Sequence, residues 1–279
     1  MSNETVEDYI ICDGLVKIYK TDELEVMALQ GLDFKIRKGE ILAVIGKSGS
    51  GKSTLMNIIG GLERPTAGKI IVDGTNLSDM REQQMVDYRK NFVGFVWQKS
   101  SRNLFGYLTS KENIENALNF TKMSNAEKSQ KAKELLEMVG MTHKSNSYPS
   151  ELSGGEQQRI AIAVALANNP KILLADEPTG AVDTNTGNRI LEVFHELNQK
   201  LGITIIIVTH DMRLASKVDR TVMISDGKIS TERTKAQDEL FVLDKAKRLQ
   251  LSEEMLKEAG IDTYKVKVEV VDGKIVISG

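Results

Sequence analysis

The sequence predicts an α/β fold, in which a mixed sheet of buried strands carries helices, a helical segment is inserted, and a small helix-and-hairpin extension follows. Short apolar runs of strand length alternate with helical patterns over most of the 279 residues, which is typical of βαβ units. The stretch from about residue 99 to residue 167 is mostly helical in pattern, and the pattern changes again from about residue 231. This length is sufficient for one large α/β domain with a small addition.

The predicted strands are short and apolar, and the predicted helices have recognisable ends. In chain order, strands are predicted at Ile41–Ile45, Ile70–Val72, Phe92–Trp97, Ile172–Ala175, Ile203–Val208 and Thr221–Ile224. Helices of the core are predicted at Leu55–Ile59 and Asn185–Leu201. Within the helical insertion, Ser124 and Glu127 form a capping box, and Gly140 follows the helix that they begin.

Composition limits the classes of function. Hydrophobic residues make up 41% and charged residues 27% of a chain with net charge −2, as in an ordinary globular protein, so no basic field attracts nucleic acid. The single cysteine, Cys12, excludes an intrachain disulfide, and we expect a reduced thiol. The polar start MSNETVEDYI predicts no signal peptide, and the longest apolar runs are too short to span a bilayer. We therefore expect no direct membrane insertion.

A glycine-rich loop follows the first predicted strand. Residues 46–53 fit the pattern G-x-x-x-x-G-K-[ST], in which backbone N–H groups and a helix N-terminus surround phosphate oxygens. Lys52 is then expected to reach the β and γ phosphates and Ser53 to bind Mg²⁺. The alternative is a flexible Gly/Ser loop that matches by chance. The position between a strand and a helix favours a phosphate-binding loop.

Two acids end a later apolar strand. The strand Ile172–Ala175 is followed by Asp176 and Glu177, and buried parallel strands deliver such carboxylates to the sheet edge where the phosphate loop lies. Asp176 is expected to hold Mg²⁺, and Glu177 to polarise the attacking water. The alternative is a solvated acidic turn. This interpretation is the weaker one because a phosphate loop is predicted nearby.

A second glycine-rich loop, Leu152–Arg159, precedes a helix predicted at Gln157–Ala167. One chain needs a single phosphate loop per nucleotide, so this second anion site is expected to close over the γ-phosphate held by another subunit. The alternative is a helix N-terminus capped by Ser153 with incidental glycines.

The order of these motifs resembles the ATP-binding cassette (ABC) transporter ATPases, since LSGGEQQR lies between the phosphate loop and ILLADEPTG. The resemblance extends from about Ile10 to Ile229 and implies a P-loop NTPase core with an antiparallel β subdomain. It divides the chain into a nucleotide-binding domain, residues 1–230, and an extension, residues 231–279. It also implies hydrolysis of ATP with Mg²⁺, a head-to-tail dimer of two copies, and an integral membrane permease as partner at the cytoplasmic face of the cell membrane.

Further roles follow from the resemblance alone. Tyr19 resembles the aromatic residue that stacks on adenine, Asp183 the acid that crosses the dimer interface, and His210 the histidine that contacts the γ-phosphate. Gln98 resembles the glutamine that contacts Mg²⁺ and the lytic water. The expected catalytic residues are Glu177, His210 and Gln98, and the expected Mg²⁺ ligands are Ser53, Gln98 and Asp176. The expected nucleotide-binding residues are Tyr19, Gly46, Ser48, Gly49, Ser50, Gly51, Lys52, Ser53, Thr54, Ser153, Gly154, Gly155 and Asp183.

The four residues assigned by resemblance alone also have ordinary structural interpretations. Tyr19 fits a strand-face tyrosine, Gln98 a surface-loop residue and His210 a structural histidine, while Asp183 fits an N-cap, which is compatible with an interface role.

Segments such as residues 60–68 and 89–98 resemble the lipoprotein-releasing and macrolide-exporter subgroup, although residues 99–104 are more polar than usual there. An alternative is a regulatory complex in which the same ATPase drives a permease-like partner that controls cell-wall or cell-division activity. A DNA-repair or chromosome ATPase is disfavoured because no sustained heptads separate the motifs.

The extension is predicted to contain one short helix and one hairpin. Ser252 is a suitable N-cap for a helix over Ser252–Ala259, and Gly260 ends it. Tyr264, Val266, Val268 and Val270 alternate with charged residues, Asp272-Gly273 is a turn signal, and Ile275 and Ile277 continue the apolar face. The tail is similar to the swapped hairpin of AbrB-like regulators. From Phe241 on, its seven Lys or Arg balance seven Asp or Glu, which predicts dimerisation without DNA binding. The rival hypothesis is a tail folded against its own cassette.

Overall fold

The computed structural model describes residues 8–20, 24–180, 182–235, 237–263 and 265–278. The strands are β1 (Asp8–Lys20), β2 (Glu25–Arg37), β3 (Ile41–Ile45), β4 (Ala67–Val72), β5 (Thr75–Asn76), β6 (Val93–Val96), β7 (Ile172–Asp176), β8 (Thr204–Val208), β9 (Arg220–Ser225), β10 (Lys228–Thr234), β11 (Gln237–Phe241), β12 (Lys267–Val271) and β13 (Lys274–Ser278). The helices are α1 (Lys52–Ile59), α2 (Glu82–Phe92), α3 (Ser110–Ala117), α4 (Asn125–Met138), α5 (Gly154–Ala165), α6 (Thr184–Leu201), α7 (Met212–Ala215) and α8 (Glu253–Glu258).

The main sheet is mixed, as predicted, with the order β11-β10-β9-β3-β8-β7-β6. Strands β9, β3, β8, β7 and β6 run parallel, whereas β10 and β11 are antiparallel to their neighbours. Every residue of β3 and β8 is buried, because apolar layers cover both faces of the sheet. In β3, Ile41, Ala43 and Ile45 face one core, and Leu42 and Val44 face the other. This two-sided burial explains the uninterrupted apolar runs.

An antiparallel sheet, β2-β1-β4-β5, packs beside α1 and forms the β subdomain that the family resemblance implied. Its long strands β1 and β2 pair with several register shifts. Local sequence patterns did not predict this hairpin. Cys12 is a free thiol buried on β1, and burial raises its pKa to about 12.

The helical insertion contains α3, α4 and α5, in agreement with the predicted segment. The hydroxyl of Ser124 accepts the backbone N–H of Glu127, and Gly140 has a φ of 66°, as the predicted helix ends require. Helix α5 begins at Gly154 rather than at the predicted Gln157, because Ser153 caps it and both glycines adopt helical positions. Helix α2 was not predicted, and it includes Phe92, which was assigned to the following strand.

The extension begins within the main sheet. Strand β10 continues to Thr234 and β11 pairs with it as far as Phe241, so the predicted boundary at residue 230 falls inside β10. Helix α8 is capped by Ser252, and β12 and β13 form the predicted hairpin, with positive φ at Asp272 and Gly273. Tyr264, expected on the apolar face, lies outside the described residues. The division into two domains stays a prediction.

Candidate active site

A cleft of about 580 Å³ opens at the carboxyl ends of the parallel strands. It is lined by the loop after β3, by the acids at the end of β7, by His210 beyond β8, and by Gln98 beyond β6. The antiparallel sheet supplies Tyr19, Val26 and Ala28 as a further wall. Parallel strands end at a common edge, which is why side chains distant in sequence converge here. The apolar residues Val26 and Ala28 were missed, since nothing in their local pattern distinguishes them from other strand residues.

The loop between β3 and α1 can be formed only with glycine at two of its positions. Gly46 and Gly51 have φ values of 153° and 105°. A Cβ atom at Gly46 would lie 2.3 Å from the carbonyl oxygen of Ile224, and one at Gly51 would lie 2.4 Å from that of Ala28. Both approaches are to backbone atoms, so a side chain would displace the loop. The sequence around these glycines therefore encodes a tightly packed turn.

The side chain of Lys52 hydrogen-bonds to the backbone of this loop. Its ammonium group donates hydrogen bonds of 2.8 Å to the carbonyl oxygens of Gly46 and Lys47. The residue is 9% exposed, and burial lowers the pKa of Lys52, although the nearby charges of Glu177 and Asp176 oppose this shift. The ammonium is thus held at the floor of the cleft with two carboxylates nearby. Ser50, in contrast, is buried, and its hydroxyl has no hydrogen-bond partner among the described atoms.

The two acids at the end of β7 have different environments. Burial, followed by the charge of Glu177, raises the pKa of Asp176, while Lys52 and Arg102 act in the opposite direction. Glu177 has a φ of 47°, in the left-handed region that non-glycine residues rarely adopt. Its N–H donates to the carbonyl oxygen of Val208 at 2.8 Å, so hydrogen bonding to the carboxyl end of β8 holds this conformation. Such strain is concentrated at functional sites.

Glu177 and His210 form a direct pair. One carboxylate oxygen of Glu177 lies 2.8 Å from Nδ1 of His210, and the other accepts from the backbone N–H of His210 and the hydroxyl of Thr209, both at 3.4 Å. The Glu177 side chain is 15% exposed, whereas that of His210 is 71% exposed. The carboxylate is therefore fixed by its protein contacts, and the imidazole extends into the open cleft.

Gln98 begins a turn that is anchored by polar side chains. Asn103 accepts from the backbone N–H of Trp97 at 3.0 Å and donates to the carbonyl oxygen of Phe95 at 2.6 Å. The hydroxyl of Ser100 donates to Gln157 on α5 at 2.7 Å. These bonds tie the turn to β6 and to α5. They explain the polar composition of residues 99–104, which the sequence marked only as unusual.

Tyr19 stands at the rim of the cleft and is 38% exposed. Its hydroxyl donates to Glu63 at 2.6 Å and lies 3.3 Å from the hydroxyl of Thr54. Burial, and then the bond to Glu63, raises the pKa of Tyr19. The ring is thereby held at the side of the cleft, with the Lys17 ammonium 5.0 Å from its centroid.

Comparison with known proteins identifies the family. The family profile described as ABC transporter matches residues 29–180, more than half of the chain. An uncharacterized ABC transporter ATP-binding protein of Thermotoga maritima is 45% identical over 213 residues, which cover 76% of this chain and 90% of the relative. The chain belongs to the ABC transporter family. It is an ATP-binding subunit and an ATPase.

Solved ABC cassettes share the fold. The dimeric structure of MJ0796 from Methanocaldococcus jannaschii, in a post-hydrolysis state bound to ADP and Pi, has a TM-score of 0.73 and 38% identity, covering 81% of this chain and 98% of that one. The cbiO1 protein of Clostridium perfringens, part of the ABC transporter complex cbiONQ, has a TM-score of 0.75 and 29% identity, covering 82% of this chain and 89% of that one. The predicted ABC cassette fold is confirmed.

The second glycine motif lies outside the cleft. Ser153 accepts the N–H of Glu156, and the Glu156 carboxylate accepts from the N–H of Ser153 at 2.8 Å. Gly155 packs against α6, since a Cβ there would lie 2.1 Å from Cγ2 of Thr186. Asp183 caps α6 by accepting the N–H groups of Asn185 and Thr186. The predicted N-caps at Ser153 and Asp183 are therefore present, and neither residue reaches the phosphate loop of its own chain.

Within the described residues, no group of three or more His, Cys, Asp or Glu forms a metal site. The cleft does contain hydroxyl, amide and carboxylate oxygens, on Ser53, Gln98 and Asp176. These oxygen donors fit Mg²⁺, which binds few protein ligands and shares its coordination with phosphates and water. No helix of the described residues is long and apolar enough to cross a membrane.

Proposed function

We propose that two copies of this cassette bind head-to-tail, hydrolyse ATP with Mg²⁺ at two shared sites, and drive an integral membrane permease. The observation that carries this proposal is the separation of the motifs. The phosphate loop, both acids and His210 line one cleft, whereas Ser153 begins a helix outside it. One chain therefore holds one half of each of two sites.

Nucleotide binding begins with the open first turn of α1. The N–H groups of this turn and the ammonium of Lys52 converge on the loop, so the β and γ phosphates are bound there. Gly46, Ser48, Gly49 and Thr54 line the same surface, and Ser50 shapes the loop from inside. The adenine base stacks on the ring of Tyr19, and Val26 adds apolar contact.

Mg²⁺ would be held by Ser53, Asp176 and Gln98 and would neutralise charge on the phosphate oxygens. Glu177 then accepts a proton from the attacking water, because contacts at the carboxyl end of β8 hold its carboxylate at the cleft. His210 orients that carboxylate through the 2.8 Å contact and offers its exposed ring edge to the γ-phosphate. Glycine residues 154 and 155, with Ser153, close the site from the second copy.

Two comparisons support the assembly. MJ0796 has been solved as a dimer bound to ADP and Pi, and cbiO1 belongs to a transporter complex. Asp183 lies at the start of α6 beside the Ser153 helix, so both elements face the second copy together. The permease is a separate chain, and binding to it holds the cassette at the cytoplasmic face of the membrane.

The test is Glu177→Gln, which keeps the side-chain shape and removes its charge. General-base help is worth about 10²–10⁴ in rate, so turnover should fall by that order while ATP still binds and traps a dimer. The control is Glu192→Gln, at an exposed glutamate of α6, and it should be unaffected. Near-normal turnover of Glu177→Gln would remove Glu177 from the mechanism.

A further inference from the structure

The C-terminal hairpin has one face made of aliphatic side chains. Its register places Val268 opposite Ile277 and Val270 opposite Ile275, and cross-strand partners share a face of the sheet. We call these four residues the aliphatic face. The opposite face carries charged or polar residues next to aliphatic ones, with Glu269 opposite Val276, Val271 opposite Lys274 and Lys267 opposite Ser278.

Three of the four residues of the aliphatic face are exposed to solvent in the single chain, and Ile277 is half-buried. Val268, Val270 and Ile275 are 59%, 75% and 73% exposed. A lone two-stranded hairpin is at best marginally stable, and contiguous exposed apolar surface marks an interface. The hairpin therefore needs further contacts, and additional strands paired to its edge would supply them.

The residues before the hairpin are fixed to their own cassette. Lys245 forms ion pairs with Asp13 and Asp33, and Gln250 donates to Asp226 at 2.8 Å. Residues 242–251 thus follow the rival hypothesis of a tail folded on its own cassette. The hairpin does not, because all of its strand residues except Ile277 remain exposed beyond this anchor. The anchored segment presents the hairpin at the surface.

The free edge of β12 is complementary to itself. Within the described residues β12 pairs only with β13, so its outer edge has unpaired backbone groups. If two β12 strands pair antiparallel about Val268, Lys267 of each copy lies opposite Glu269 of the other. The same register pairs Val266 with Val270 twice and Val268 with itself. Strand β13 has no such symmetry, because Lys274 is its single charge.

We infer that the β12 edge binds the β12 edge of a second copy, joining two hairpins into one four-stranded sheet. Aliphatic cross-strand contacts, two pairs of opposite charges and the backbone hydrogen bonds stabilise this contact. The balanced charge of the tail, seven Lys or Arg against seven Asp or Glu from Phe241 on, gives no comparable attraction to nucleic acid or anionic lipid. The joined tails keep two cassettes at high effective concentration when nucleotide is absent.

The first experiment measures dimerisation of the full chain without nucleotide by sedimentation. Val270→Ser removes an aliphatic contact twice in a two-fold dimer, so the dimer dissociation constant should rise about tenfold. Val276→Ser makes the same change on the opposite face of the hairpin and should leave it unaltered. A wild-type chain that stays monomeric at every concentration, or equal dissociation constants for Val270→Ser and wild type, would overturn the inference.

The second experiment tests the register. Lys267→Glu gives a strand with two acids at these positions and Glu269→Lys a strand with two bases, so each variant should repel its own copy. An equimolar mixture should restore dimers that contain one chain of each kind. The ion pair of 2.8 Å between Lys267 and Glu269 within one strand cannot produce this rescue. A mixture that stays monomeric would refute the register. The dimer that Glu177→Gln forms with ATP is measured in a separate experiment. A failure of the tail contact can therefore be distinguished from a failure of the proposed function.

Discussion

Two helices of this cassette begin beside glycines, and their first turns are built differently. Helix α1 follows Gly51, and no side chain of the described residues caps it. Helix α5 follows Ser153, which caps it, and Glu156 completes a capping box. The N-terminal N–H groups of α1 are thus left for a ligand, while those of α5 are partly satisfied by the protein itself.

The difference indicates two kinds of anion site. Around α1, Lys52 and two carboxylates line a cleft within a single chain. Around α5, Lys144 lies 3.9 Å from the Glu156 carboxylate, and Ser153 does not line the cleft, so the contribution of this helix depends on a nucleotide held elsewhere. Changes at α1 should therefore act in each chain alone, and changes at α5 should act on the dimer.

The largest effect is expected at the α1 site. Lys52→Ala removes a charge-assisted contact to phosphate, worth about 1.5–3 kcal/mol, so ATP affinity should fall about 10- to 100-fold and hydrolysis should be lost. Titration of the nucleotide measures this. Lys133→Ala, at an exposed lysine of α4, is the control and should bind ATP normally. Unchanged affinity of Lys52→Ala would exclude the phosphate-loop assignment.

Mixing variants compares the two helices directly. Lys52→Ala and Ser153→Arg should each be inactive alone, because both sites of each homodimer carry a lesion. In an equal mixture, each heterodimer has both lesions at one site and an intact second site, so about a quarter of wild-type activity should return if chains pair at random. Steady-state ATPase assays measure the recovery. No recovery, with heterodimers shown to form, would argue against shared sites.

A smaller effect is expected from the α5 cap. Ser153→Ala should lower the free energy of unfolding by about 1 kcal/mol, and Tm by about 2–4 °C. Hydrogen bonds from Ser153 lower the pKa of Glu156, so this capping contribution is present at neutral pH and is lost as the pH falls through that lowered pKa. Thermal unfolding across pH should show the wild-type advantage shrinking in acid. Ser101→Ala, at an exposed serine, should behave as wild type throughout.

The smallest effect is a gain of stability at the α1 site. Burial raises the pKa of Asp176, so its charged form is disfavoured in the folded chain above that pKa, and the cost vanishes once the carboxyl is protonated in acid. Asp176→Asn should therefore raise Tm at neutral pH by less than Ser153→Ala lowers it, and this gain should disappear at low pH. Asp87→Asn on the exposed surface of α2 is the control. A lower Tm for Asp176→Asn at neutral pH would contradict this account.

Local patterns were sufficient where a structure depends on neighbouring residues. The runs Ile41–Ile45 and Ile172–Ala175 predicted strands because they are buried on both faces, and the caps at Ser124, Ser153 and Ser252 follow from side-chain bonds within one turn. The start of α5 was misplaced because the glycines suggested a loop, although Ser153 already satisfies the helix at Gly154. The long β1–β2 hairpin was missed because its pairing depends on distant contacts.

The sequence by itself predicted the loop at residues 46–53 and the acids after β7, because short-range motifs encode backbone turns, buried strands and charge at fixed spacing. The family resemblance predicted the ABC cassette fold, which is confirmed, and the roles of Tyr19, Gln98, Asp183 and His210, which stay predictions. The tertiary structure alone decided how these parts meet. It joined Glu177 to His210 across 33 positions and placed Val26 beside the phosphate loop. It also kept Ser153 out of that cleft. Such contacts arise from the order and twist of strands packed in two sheets, and no local pattern records which distant residues the packing brings together.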